Sequence, residues 1–136
     1  MSFLSQHSAL FFAFGVLVTL AVIVEFIRLR RAAAKVTPHQ AVLLMNRENA
    51  IVLDLRESAD FQAAHIVDAV SIPYPELKNR IKSLNAHRTK PLLLLATKES
   101  DSTHAATDLT QAGFDARILA GGIRAWREAE LPLIKG

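Results

Sequence analysis

The 136-residue sequence contains no cysteine, which removes disulfides, zinc–thiolate sites and any thiol nucleophile together. Its five histidines are scattered and form no ligand pair at helical spacing, so neither a metal nor a cofactor is expected. No internal repeat or low-complexity linker is found beyond RRAAAK, residues 30–35. An excess of charge is also missing from most of the chain: residues 36–136 hold twelve Lys or Arg against twelve Asp or Glu. A formally neutral domain argues against nucleic acid as a partner, because phosphate recognition needs a basic face.

Between Ala9 and Val24 charge is absent altogether, and Thr19 is the one polar side chain. With Phe26 and Ile27 the run reaches about 19 residues, or roughly 28 Å of helix, enough to cross a bilayer's hydrocarbon core. Eleven Leu, Ile, Val or Phe residues lie between Leu10 and Val24. At about −0.3 to −0.6 kcal/mol each they outweigh one central threonine, while Glu25 can snorkel near the end. A buried core helix would show a polar face, and a cleaved signal peptide would carry its basic residues before the apolar run rather than after it. The expected organisation is an amino-terminal tail (1–8), one transmembrane helix (9–29), a basic juxtamembrane linker (30–35) and a globular domain (36–136). Arg28, Arg30, Arg31 and Lys35 follow the helix, whereas residues 1–8 have no Lys or Arg, which places the domain on the cytoplasmic side. The same four residues are expected at anionic lipid headgroups, although setting topology would alone account for them. Ala9 with Ala13 and Gly15 with Thr19 satisfy a small-xxx-small spacing, so a homodimer through the anchor stays open.

Beyond the linker two periods alternate. Thr37 and Pro38 start a helix through HQAVLLMNR, with Thr37 as cap and Pro38 at its first position. IVLDL (Ile51–Leu55) is a strand covered on both faces, Ser58–Ala64 suits a short helix, and Ala69–Pro73 is a second strand. From Pro75, Leu77, Ile81 and Leu84 share a helical face, with Lys78, Arg80 and Lys82 solvated. Pro91–Ala96 is the next strand, followed by a polar loop and a helix from about Ser102 to Ala112 that ends on Gly113 as a left-handed cap. Ala116–Leu119, a Gly121–Gly122 turn and a helix around Trp126 close the chain. Strands alternating with helices over short connections imply an α/β domain with a mostly parallel sheet between helices.

Two stretches carry a resemblance. VLDLRESADFQAAHIVDAVSIPY (Val52–Tyr74) resembles the first signature of rhodanese-like domains through Asp54, Arg56, Phe61, His65, Ile66, Ala69, Ile72 and Pro73. ILAGGIRAWREAELPL resembles the closing signature through Gly121, Gly122, Trp126 and Pro132. Together they span about residues 36–134, and with the anchor the chain is similar to single-domain rhodanese-like proteins of Gram-negative inner membranes. The resemblance implies a five-stranded parallel sheet flanked by helices. It also identifies Ala96, Thr97, Lys98, Glu99, Ser100, Asp101 and Ser102 as the active-site loop. Counting back from Ala112–Gly113–Phe114, Ala96 falls where the family's nucleophilic cysteine stands.

A sulfurtransferase needs a thiolate to hold the transferred sulfur as a persulfide, and a methyl group cannot do this. Glu99 and Asp101 outnumber Lys98, so the loop disfavours anionic donors, and Glu99 replaces the loop's usual glycine. Ala64 and Asp68 stand where the first signature usually has glycines. Ser100 and Ser102 are hydroxyls in the right place with His104 nearby, but a helix opening at Ser102 would turn His104 to another side, and Ser102 is expected to cap that helix. Asp101 as an acyl-phosphate nucleophile lacks a metal-binding partner in the sequence. Asp54, Arg56 and His65 are expected to support the loop, Asp54 accepting backbone amides, Arg56 pairing with a carboxylate, and His65 lying hydrogen-bonded beneath it. The resulting expectation is a catalytically inactive rhodanese-like module, tethered to the cytoplasmic face of a bacterial inner membrane, that binds a protein partner. Sulfur transfer through a persulfide, and a structural role through the anchor alone, are the alternatives.

Overall fold

The computed structural model describes the backbone of residues 2–32 and 34–136 and the side chains of residues 5–27 and 34–136. Helix α1 (Ser2–Ala32) contains the apolar stretch Ser5–Ile27, long and apolar enough to span a membrane and unburied by the rest of the chain. The Thr19 hydroxyl donates to the Gly15 carbonyl at 2.8 Å, so this polar group is satisfied within the helix. Strand β1 (Lys35–Val36) follows almost at once, so the segment expected as a linker is shared between helix and strand. The side chains of Arg28, Arg30 and Arg31 lie outside the described residues.

Helix α2 (Pro38–Arg47) opens with the expected cap. Gln40 N–H donates to Thr37 Oγ1 at 3.2 Å and Thr37 N–H to Gln40 Oε1 at 3.0 Å, a reciprocal box that satisfies two end donors. Strand β2 (Ile51–Asp54), helix α3 (Ser58–Ala63) and strand β3 (Val70–Ser71) come next. The helix expected from Pro75 is broken: a 3₁₀ turn (Tyr74–Glu76), one α turn α4 (Leu77–Arg80) and a 3₁₀ run (Ile81–His87). Leu77 and Leu84 are buried as the spacing required, and the three-residue step from Ile81 to Leu84 suits the tighter coil. Strand β4 (Leu92–Leu95), helix α5 (Glu99–Gln111), strand β5 (Ala116–Leu119) and helix α6 (Gly122–Glu128) complete the chain.

The sheet is parallel throughout, in the order β1-β5-β4-β2-β3. Four consecutive leucines make β4 its centre, and their alternation builds both layers. Leu92 and Leu94 join Leu53, Leu109, Phe114 and Ile118 on one face. Leu93 and Leu95 join Val52, Ile66, Leu119 and Trp126 on the other. All four are fully buried, which explains an apolar run without polar interruption.

Backbone conformation accounts for the departures at Ala64 and Asp68. Asp68 sits at φ +63°, where a glycine is at ease and an aspartate is among the tolerated residues. Ala64 is extended at φ −165° and needs no glycine. Gly113, at φ +94°, ends α5 as expected: its N–H reaches the Thr110 carbonyl and Phe114 N–H the Leu109 carbonyl, both at 3.0 Å.

Candidate functional site

Strands β2 and β4 are neighbours, yet the chain leaves β2 toward β3 on one side and β4 toward β5 on the other. The crevice outside the carboxyl ends of such a pair is where open parallel sheets bind ligands. A cavity of about 410 Å³ lies there, walled by the segments that follow β2, β4 and β5. Arg56 and Asp60 come from the first, Ala96, Thr97, Glu99 and Ser102 from the second, and Leu119 and Gly121–Arg124 from the third.

The β2 side is anchored by a buried ion pair. Asp54 is fully buried and accepts from Arg56 Nε at 3.0 Å and Nη2 at 2.8 Å, while Arg56 N–H reaches the same carboxylate at 3.0 Å. Arg56 Nη2 also donates to the Ala64 carbonyl at 2.7 Å, tying β2 to the end of α3. The two side chains meet in a fork-on-fork geometry that fixes Arg56 against the cavity wall, and their bonds run to each other and to Ala64 rather than to the 96–102 loop.

His65 is buried and hydrogen-bonded through Nδ1 to the Phe61 carbonyl at 2.8 Å, with its ring stacked on Phe61. It does not support the loop, however. Its backbone exchanges two 2.8 Å hydrogen bonds with Ile134, clipping the carboxyl-terminal segment to the domain.

The loop itself is shorter than expected. Helix α5 begins at Glu99, not Ser102, because Glu99 and Asp101 in the first turn favour the positive end of the helix dipole. Lys98 takes the N-cap position without a side-chain hydrogen bond, so Ser102 is not the cap. Ser102 lies inside the helix, 2% exposed, and faces the cavity. Lys98, Ser100 and Asp101 do not line the cavity, and His104 is on an exposed face away from it. Lys35, expected at lipid headgroups, instead places Nζ 2.8 Å from Glu99 Oε1, joining β1 to the cavity's rim.

Asp60, Leu119, Gly121, Gly122, Ile123 and Arg124 were not among the expected site residues. The Gly121–Gly122 pair was the available signal, since adjacent glycines after a strand mark close backbone approach. Both have positive φ, and a Cβ on Gly122 would lie 3.5 Å from the Ala96 carbonyl. Trp126, buried beside them, donates Nε1–H to the Pro132 carbonyl at 3.0 Å and acts in packing.

These features define an α/β domain with a ligand-sized cavity at the switch point of a five-stranded parallel sheet. The chain belongs to the rhodanese-like domain family, whose model matches residues 37–129. The uncharacterized protein YibN of Escherichia coli strain K12 is 30% identical over 138 residues, an alignment covering 100% of this chain and 96% of that protein. The thiosulfate sulfurtransferase GlpE of Pseudomonas putida is 32% identical over 94 residues, covering 68% of this chain and 84% of that protein. Among solved structures, a rhodanese-related protein from Thermoplasma volcanium superposes with a TM-score of 0.66 at 27% identity, covering 76% of this chain and 99% of that one. A thiosulfate sulfurtransferase from Pseudomonas aeruginosa does so with a TM-score of 0.66 at 30% identity, over 75% of this chain and 20% of that longer chain.

Proposed function

We propose that this chain is a rhodanese-like module without sulfur-transfer chemistry, held by α1 on the cytoplasmic face of a bacterial inner membrane, where its cavity and loop engage a protein partner. One observation carries the reading: the residue at the end of β4, on the cavity wall, is Ala96, in a chain without a cysteine. A rhodanese-like architecture with a cavity and no thiolate can keep recognition without covalent catalysis. The apolar length of Ser5–Ile27 supports the membrane, and the basic residues that follow it support the orientation.

The test is photo-crosslinking from Thr97, exposed on the cavity's rim, with the full chain in native membranes and Lys82 as the control position. A discrete protein adduct from Thr97 and none from Lys82 is the expected result. Identical patterns from both positions, or none from either, would remove the partner from the site.

Sulfur transfer is the second reading, supported by the names of the Pseudomonas relatives. Thiosulfate-to-cyanide transfer is expected at background both for the chain and for Ala96→Cys. A thiol placed there would face a helix end already neutralised by Glu99 and Asp101, which leaves little positive potential to favour the thiolate or attract an anionic donor. Turnover by the unaltered chain would replace the proposal. Turnover by Ala96→Cys alone would show that the cradle still activates sulfur.

A further inference from the structure

Lys35 stands where the apolar helix gives way to the domain. It follows Ile27, the end of the membrane-length stretch, by five residues of α1 and three more of chain. At about 1.5 Å per helical residue and at most about 3.5 Å per extended one, its Cα lies no more than roughly 18 Å from the hydrocarbon core. The headgroup layer occupies about 5–8 Å of that distance, so the four-carbon stem can carry the ammonium within a Debye length, about 8 Å, of the lipid phosphates. In the structure the ammonium sits 2.8 Å from Glu99 Oε1, and Glu99 lines the cavity. One side chain is thus within reach of both the leaflet and the cavity's rim.

The two attractions are of similar size. Both members of the pair are 54% exposed, and an ion pair in that setting favours the closed arrangement by no more than about fivefold. An anionic leaflet attracts a basic side chain near its surface by about the same factor, and it repels the Glu99 carboxylate, so its field parts the pair. The sheet does not depend on the pair. Strand β1 is held to β5 by backbone bonds, from Ile118 N–H to the Ala34 carbonyl at 2.9 Å and from Ala120 N–H to the Val36 carbonyl at 2.8 Å, so the Lys35 side chain can leave while the strand stays.

We propose that Lys35 exchanges between Glu99 and the anionic headgroups of the leaflet, so that lipid charge sets the charge at the cavity's rim. Against a zwitterionic surface Lys35 neutralises Glu99; against an anionic one it turns to the phosphates and leaves the carboxylate unpaired. The inference rests on the membrane placement proposed above and adds a route by which the membrane acts on the site.

The test places the full chain in nanodiscs of phosphatidylcholine alone or with about one third phosphatidylglycerol, which supplies the anionic surface, and follows the backbone amide resonances of Glu99 and Thr97. Both resonances are expected to move with lipid charge, and salt at about 1 M, where the Debye length falls to about 3 Å, is expected to cancel the movement. Lys35→Gln should hold both resonances near their anionic-lipid positions in either disc. Lys82→Gln, which removes an equal charge from the exposed 3₁₀ run, should leave the lipid response intact. Resonances that ignore lipid charge, or a lipid response that survives Lys35→Gln, would overturn the inference. Extraction of the chain from vesicles by alkaline carbonate would overturn the membrane placement and the inference with it. A carbonate-resistant chain with unmoved resonances would overturn the inference alone.

Discussion

Asp54→Ala is expected to destabilise the domain by about 3–5 kcal/mol, because it strands the Arg56 guanidinium in the interior. Asp54 is fully buried and its carboxylate takes the Arg56 side chain and the Arg56 backbone amide at once. Removing it leaves a charge with one remaining protein bond, to the Ala64 carbonyl. For a domain of this size, thermal unfolding should move down by roughly 4–8 °C for each kcal/mol lost. The informative companion is Asp54→Leu combined with Arg56→Met, which removes both charges and should recover most of the loss. If the double variant is as unstable as the single one, the pair contributes shape and register beyond mutual neutralisation. A melt of Asp54→Ala within a degree of the parent would refute the assigned role.

Gly121→Ala is the second large effect, at about 2–5 kcal/mol, from the left-handed backbone and the overpacking together. Gly121 sits at φ +72°, and a Cβ there would lie 2.6 Å from the Ala125 Cβ, a distance that forces the first turn of α6 to move. That turn carries the Gly122–Arg124 wall of the cavity, so crosslinking from Thr97 should fall along with stability. Chemical denaturation and crosslinking yield measured on the same preparation would separate the two. Stability lost with full crosslinking would mean that the wall can shift without closing the cavity.

Much of the fold follows from local signals in the sequence. Thr37, Pro38 and Gln40 specify the start of α2 because a cap acts within four residues of chain. The four leucines of β4 specify a central strand because an uninterrupted apolar run needs cover on both faces. Gly113 specifies the end of α5 for the same local reason, its backbone conformation. Three expectations differ from the structure, the first being the helix from Pro75, which breaks into 3₁₀ and α turns. Ser102 is not the helix start its hydroxyl suggests, because Glu99 and Asp101, with their favourable dipole interaction, open the helix earlier. His65 does not lie beneath the loop, because its partners are the Phe61 carbonyl and the distant Ile134 backbone.

The sequence by itself determined the alternation of strands and helices, the membrane-length helix and the absence of a thiol, since composition, spacing and capping operate over a few residues. Only the tertiary structure decided which side chains share the cavity, because Arg56, Asp60, Ala96, Ser102, Leu119 and Gly122 lie at or beyond the ends of three different strands and meet through sheet order alone. The same holds for Lys35 and Glu99, 64 positions apart in the chain and 2.8 Å apart in space.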